Sequence, residues 1–302
     1  MRGLLFLAFT LPAMAQLPEF YKHVDHVVWL VKDLNAVAAA WDKNGFGPVT
    51  KFDDEGVATA RLKNVEINWM QPGTNGPMAD HLKSRGEGVF SLVHRVPTLE
   101  ALKAEEARLG ALGVKVLQRM TLNGGQINVV FFDTAPQGKY VIGLVHGTED
   151  AEPAASAPAV SQFAFVARDT RAISAYWAKL GWPEMTYTHG GLRDLEYRGQ
   201  PGKFDQELGW QRHGKVVYEW IKPLAGPTVY EDSLKIHGEG FHHFGMDVPD
   251  MDQAIAAWKK LGYSVSQAGG WGEVGKKGSG RFAYIDTEAA GGITIELLWN
   301  QR

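Results

Sequence analysis

The sequence predicts an α+β fold: a strand–helix–strands module used four times, two modules to a domain. Three observations predict it. The first is internal repetition. HLKSRGEGVFSLVHRVPTL at His81 returns as SLKIHGEGFHHFGMDVPDM at Ser233, 152 residues later. VEINWMQP at Val65 returns as VVYEWIKP at Val216, and DTAPQGKYVIGLVH at Asp133 returns as DTEAAGGITIELLW at Asp286, with offsets of 151 and 153. The second is a strand pattern followed by a capped, glycine-terminated helix, found four times. The third is the run GTEDAEPAASAPA between Gly147 and Ala159. It is acidic, rich in Pro, Ala and Ser, and without apolar period, as a linker is.

The four modules follow in order. The first has a strand over 23–31, Asp33 as N-cap, apolar Leu34, Val37 and Trp41, and Gly45 as the stop. The second has a strand over 90–96, Thr98, then Leu99, Leu102 and Leu109, ending at Gly113. The third has a strand over 161–167, Asp169, then Ile173, Trp177 and Leu180, ending at Gly181. The fourth has a strand over 243–248, Asp250, then Met251, Ile255 and Trp258, ending at Gly262. A cap, apolar residues three or four apart and a closing glycine are helix start and stop signals. Two or three strand-like runs follow each helix. One such module leaves a sheet face uncovered, so modules must pair. The openings VDHVVWLVKD at Val24 and VSQFAFVARD at Val160 are only 136 apart. The second half therefore holds about fifteen extra residues, placed by the repeat register in THGGLRDLEYRGQPGKFDQELGWQRHG. The predicted organisation is a leader over 1–15, domains over 20–147 and 160–302, and a linker over 148–159.

Composition bounds the function. The chain has 302 residues, 45% hydrophobic and 22% charged, with a formal net charge of −3. These values are globular and carry no footprint for nucleic acid or an anionic membrane. Cysteine is absent. That excludes disulfides, thiolate ligands and cysteine nucleophiles. The first fifteen residues have Arg2, the apolar run Leu4 to Leu11 and the small-residue site Ala13-Met14-Ala15. They read as an export signal, so the mature protein is expected in the periplasm or secreted. The run is too short to span a bilayer, and no other stretch approaches a span.

Alternation along the strands sorts the polar residues. Phe163 and Phe165 form one face, Gln162 and Ala164 the other. Val217, Glu219 and Ile221 share a face. Phe244, Met246 and Val248 pack toward a helix, while His243 and Gly245 face away. Ile293, Ile295 and Leu297 pack inward, while Thr294, Glu296 and Leu298 face away. Pairing the third and fourth modules turns the second face of each strand into a shared concave cleft. Gln162, Glu219, His243 and Glu296 would then converge. A carboxylate within an apolar strand is costly unless paired or bound to a cation. Either glutamate alone reads better as an edge-strand residue facing solvent or pairing with Arg or Lys; all four together read as a metal site.

These residues carry a resemblance. The four modules, the opening VDHVVWLVKDL, the run GEGFHHFGMDVPDMDQA and the closing GGITIELL resemble the vicinal oxygen chelate superfamily. That group includes glyoxalase I, methylmalonyl-CoA epimerase, bleomycin-resistance proteins and extradiol dioxygenases. The resemblance covers nearly all of the mature chain and implies βαβββ modules, two of them forming one cupped mixed sheet with helices outside. It places the metal ligands on Gln162, Glu219, His243 and Glu296, the order of types found in zinc-using glyoxalase I. The first half gives His26, Asn68, Ser91 and Gly143 at the same positions, which reads as a degenerate copy. His26, His94 and His146 are read as structural. His242 could be the ligand in place of His243, but its side is expected to face the core, so it is read as packing or as supporting the ligands.

One imidazole, one amide and two carboxylates suit a divalent Zn, Ni, Mn, Co or Fe ion. The resemblance implies a small substrate offering two adjacent oxygens, and lyase or isomerase chemistry through a metal-bound enediolate, with Glu296 as base and Glu219 opposite. Two rivals stay open. One is an Fe(II) ring-cleaving dioxygenase, against which Gln162 speaks because those enzymes need two histidines and a glutamate. The other is a non-catalytic binding protein of the bleomycin-resistance type. The segment from Ala268 to Arg281 is glycine-rich and basic. It reads either as a flap, with Trp271 over the substrate and Lys276, Lys277 or Arg281 on an anionic group, or as a plain solvated loop. Its GxGxxG spacing precedes no helix, which excludes dinucleotide binding. His189, Arg193 and His213 of the insertion read as cleft-lining or as surface loop.

Overall fold

The computed structural model describes residues 17–52, 55–148 and 152–301. The expected leader over 1–15 lies outside the described residues. In the first half β1 (His26–Leu30), α1 (Leu34–Trp41), β2 (Thr50–Phe52), β3 (Val57–Arg61) and β4 (Glu66–Met70) make one module. After α2 (Pro77–Arg85), β5 (Gly88–Arg95), α3 (Leu99–Ala111), β6 (Val116–Leu122), β7 (Ile127–Phe132), the short α4 (Ala135–Gly138) and β8 (Val141–His146) make the next. In the second half come β9 (Gln162–Val166), α5 (Thr170–Lys179), β10 (Thr186–His189), β11 (Leu192–Tyr197), β12 (Gln200–Pro201), β13 (Asp205–His213) and β14 (Val216–Ala225). Then follow α6 (Val229–Ile236), β15 (Gly240–Asp247), α7 (Met251–Lys260), β16 (Val265–Trp271), β17 (Gly280–Ile285) and β18 (Thr294–Asn300).

The predicted caps are made. Asp33, Thr98, Asp169 and Asp250 accept from the backbone N–H three residues on, at 2.9–3.1 Å. Gly45, Gly113, Gly181 and Gly262 all have φ between 87° and 101°, which stops a helix where a side chain would be strained. The helices α2 and α6 have no counterpart among the expected elements. Each joins two modules and packs apolar residues into the cluster inside its sheet.

Each half forms one curled mixed sheet with helices outside. The first runs β2-β3-β4-β1-β5-β8-β7-β6, and the second β10-β13-β14-β9-β15-β18-β17-β16-β11-β12. In both, the central strands pair antiparallel and flank themselves with parallel partners: β4-β1-β5-β8 and β14-β9-β15-β18. The insertion supplies β11 and β12. Gly190 and Gly191 carry the chain from β10, on one edge of the sheet, to β11, which pairs with β16 at the other. The curled sheet is thereby strapped across its opening.

One apolar core joins the halves. Trp29, Trp41, Trp69 and Ile67 from the first share it with Phe163, Trp177, Trp220 and Phe244 from the second. Two smaller clusters sit inside the sheets, around Val28, Phe90, Val93 and Phe131 in the first and around Ala164, Ile221, Tyr230 and Tyr284 in the second. The segment after the described gap is tied down. Lys63 N–H donates to Pro158, and Asn64 exchanges two hydrogen bonds with the Val160 backbone.

Candidate metal centre

The ladder registers bring the four expected residues to one spot. Glu219 and His243 both pair with Ala164, from opposite sides of β9, and Gln162 and Glu296 both flank Gly245. All four are buried. His243 Nε2 stands 3.2 Å from Glu296 Oε2 and 3.4 Å from Glu219 Oε2. Gln162 Nε2 donates to the same two oxygens at 2.7 and 2.9 Å. Gln162 reaches there because position 245 is glycine: a Cβ would lie 2.3 Å from Gln162 Cγ.

Electrostatics follow from this crowding. Burial pulls the His243 imidazole down, but Glu296 and Glu219 outweigh it and push it up to about 9. Burial and the Glu296 charge push Glu219 up to about 6, against the hydrogen bond from His243. Two acids thus share one imidazolium in an apolar shell. The donor chemistry fits a divalent ion. Ligand atoms of Glu219, His243 and Glu296 lie within 4.8 Å of one another. These separations approach the edges, about 3.0–3.4 Å, of an octahedron or tetrahedron with bonds of about 2.1 Å. Turning the Gln162 amide over presents Oε1 in place of Nε2.

His242 supports the site, as expected, but does not face the helix-side core. A β-bulge between Phe241 and His243 makes His242 the extra residue of β15. Simple alternation fails at a bulge. The ring lies against Tyr230 and Tyr284, inside the sheet, not in the helix-facing core. Its Nδ1 is 2.8 Å from His243 Nδ1. That contact orients the neighbouring imidazole and leaves Nε2 to face the carboxylates.

A cavity of about 580 Å³ opens on the cluster, lined in part by Gln162, Glu219 and Glu296. Trp271, the last residue of β16, lines it. Arg281 does not: it pairs with Asp252 at 2.9 Å and lines a neighbouring cavity. Lys276 is exposed, turned with the loop, and lines neither. The insertion does reach the cavity, through residues other than those expected: Thr188, Gly190 and Leu192 line it. His189 pairs with exposed Asp205, and Arg193 donates to the Gly272 carbonyl. His213 is not among the lining residues. Missed by sequence reasoning were Tyr230 and Tyr284, whose hydroxyls meet at 2.8 Å beside the cluster, and Trp210 and Arg212 of β13. Alternation along β13 with the Glu219 register would have found the last two.

The first half has the same registers without the chemistry. Asn68 and Ser91 both pair with Val28, and Gly143 pairs with Val93. Size is inverted across that last pair: glycine faces glutamate in the second half, valine faces glycine in the first. A Cβ on Gly143 would lie 2.7 Å from Val93 Cγ2 and 3.1 Å from the Phe131 ring. His26 pairs with buried Asp25, which also holds Arg95. Among the described residues, the only cluster of ligand-type side chains close enough to hold an ion is in the second half.

Comparison with known proteins agrees with this architecture. Residues 161–284 match the Glyoxalase/Bleomycin resistance protein/Dioxygenase superfamily. No curated protein matches by sequence. By structure, a triple mutant of 4-hydroxymandelate synthase from Streptomyces coelicolor is similar, at 13% identity and a TM-score of 0.68, over 92% of each chain. The Mn(II)-bound glyoxalase from Novosphingobium aromaticivorans is similar at 15% identity and 0.52, over 93% of this chain and 83% of that one. BphC, a halotolerant catechol dioxygenase, is similar at 12% and 0.55, over 92% and 87%. At these identities the likeness speaks for the fold. Residues 161–284 therefore carry a domain of the glyoxalase, bleomycin resistance protein and dioxygenase superfamily, and the first half repeats its module architecture.

Proposed function

We propose that the chain is an exported, metal-dependent lyase or isomerase of glyoxalase type, acting on a small substrate with two adjacent oxygens. The observation that carries this reading is the donor spacing at Gln162, Glu219, His243 and Glu296, buried at the base of a cavity of about 580 Å³. Those four residues would hold one divalent ion of the Zn, Ni, Mn, Co or Fe type. When bound, the ion supplies Lewis-acid stabilisation of charge on a carbonyl oxygen. The protein residues do the rest. Glu296 takes the proton from the carbon beside the carbonyl, and Glu219, already lifted toward neutrality, faces it across the site. The hydrophobic inner wall around Ile221, Phe282 and Leu298 excludes water from the reacting carbons.

The dioxygenase alternative has a specific observation against it. Only one imidazole faces the carboxylates, because His242 is turned onto His243 and an amide stands at position 162. Two measurements test the proposal. Purified, reconstituted protein should hold about one divalent metal per chain, and His243→Ala should lose it. Absence of stoichiometric metal in the wild type would sink the reading. Glu296→Gln should cut turnover by roughly 10²–10⁴-fold. Oxygen consumption with catechol by the Fe(II)-loaded chain would instead favour the dioxygenase.

A further inference from the structure

The cavity has a second polar feature besides its metal-type cluster. Among its lining side chains Arg212 is the one cation. Most arginines around the second domain are committed: Arg171 to Glu207, Arg193 to Asp194, Arg198 to Asp232 and Arg281 to Asp252. Arg212 has no carboxylate or carbonyl partner among the described residues. Its guanidinium carbon lies 5.5 Å from the Trp210 ring centre, a cation–π contact that leaves the donor edges open.

The position of Arg212 relative to the metal-type cluster is set by β13. In the β13–β14 ladder Trp210 pairs with Glu219, and Arg212 pairs with Val217. Both therefore face the cavity, and Arg212 stands one same-face step, about 7 Å, beyond the level of Glu219. The wall between is flat and apolar: the Trp210 indole is fixed by its N–H to Thr188 at 2.9 Å, and Trp271 and Leu298 line the same cavity. The carboxylates at the base would be neutralised by a divalent ion; Arg212 is then the one cation of the wall, and Asp247, which accepts from Asn300, is the other charged group lining the cavity.

From this we infer that the substrate is an organic anion. Its vicinal oxygens go to the Gln162–Glu219–His243–Glu296 cluster, its flat or apolar body lies along Trp210, and a carboxylate caps the Arg212 fork. The inference rests on the proposed metal site and names the substrate class for it. Arg212 is exposed and makes no ion pair, so substituting it leaves the fold intact.

The test uses the full chain loaded with Zn(II), which is redox-inert, and calorimetric titration with catechol, 3,4-dihydroxybenzoate and 3,4-dihydroxyphenylacetate. All three present the same two adjacent oxygens, and only the last two carry a carboxylate. The expected result is that at least one acid binds about tenfold or more tighter than catechol. Arg212→Gln should abolish that advantage while leaving catechol affinity, zinc content and melting temperature unchanged. Arg212→Lys should keep part of it, as a point charge without the fork. Equal affinity of acids and catechol in the wild type, or an advantage that survives in Arg212→Gln, overturns the inference. Failure of the metal reading looks different: zinc is not retained, or catechol itself does not bind, and the inference then falls with its premise.

Discussion

At the scale of single residues, the site is an unusual balance of charge in an apolar shell. His243 is fully enclosed, and its imidazole would be neutral but for two carboxylates within 3.4 Å. The sign of the consequence is fixed. A folded-state value near 9 lies above the ordinary histidine value of 6.5, so the proton favours the metal-free native state. That contribution is fully present below pH 6.5 and is lost as pH rises toward 9. A bound cation would replace the same proton. Metal affinity should therefore rise about tenfold per pH unit between roughly pH 6.5 and 9 and level off above. Competition titration with a chelator across that range checks it, together with one proton released per metal bound near pH 7.5. A flat profile would contradict the electrostatic picture. His242 belongs to the same balance: its place on the bulge decides which nitrogen of His243 faces the acids.

At the scale of elements, strand register separates an equipped sheet from a silent one. The pairs β15–β18 and β5–β8 are built alike, yet one places Gly245 opposite Glu296 and the other Val93 opposite Gly143. In the second half, the missing Cβ lets Gln162 lie across its neighbour. In the first, Val93, Ser91 and Phe131 close over the glycine. Gly143→Ala should therefore destabilise the chain by about 1–3 kcal/mol, read as a shift in denaturant midpoint, with metal content unchanged. No loss of stability would mean that the first sheet is packed more loosely than its distances say. The strap β10–β11 is the other element-level difference. Among the described residues it exists only in the second half, and it brings Thr188, Gly190 and Leu192 to the cavity.

At the scale of the whole molecule, the two halves are tied by reciprocal contacts. The Trp41 indole donates to the Ala290 carbonyl at 2.7 Å, and Trp29 donates to Gly291 at 2.6 Å. In return Trp177 donates to Gly138 at 3.2 Å. Each half thus plugs its aromatic residues into the loop before the other's last strand. Trp41→Phe leaves a buried carbonyl without its donor and should cost about 1–3 kcal/mol in equilibrium unfolding. The transition should stay single, because Trp29, Phe163 and Phe244 lie in one continuous core. Two separate transitions in the wild type would show that the halves fold independently. The first half therefore contributes structure to the second.

What could be read from the sequence was what depends on local order. Caps, closing glycines and a constant repeat offset are short-range signals, and they were sufficient for the α+β modules and their duplication. Strand alternation was enough to put Gln162, Glu219, His243 and Glu296 on one face, since side-chain direction in a regular strand has a period of two. What only the tertiary structure decided depended on breaks in that regularity or on partners distant in sequence. The bulge at His242 reversed its expected direction. The strap moved Arg193 and His189 away from the cavity and brought Thr188, Gly190 and Leu192 to it. Arg281, expected at the substrate, turned to Asp252 on the helix α7 instead. Register across four strands, not spacing along any one of them, is what brings two acids, an amide and an imidazole together. That convergence comes from the curl of the sheet, and no single strand encodes it.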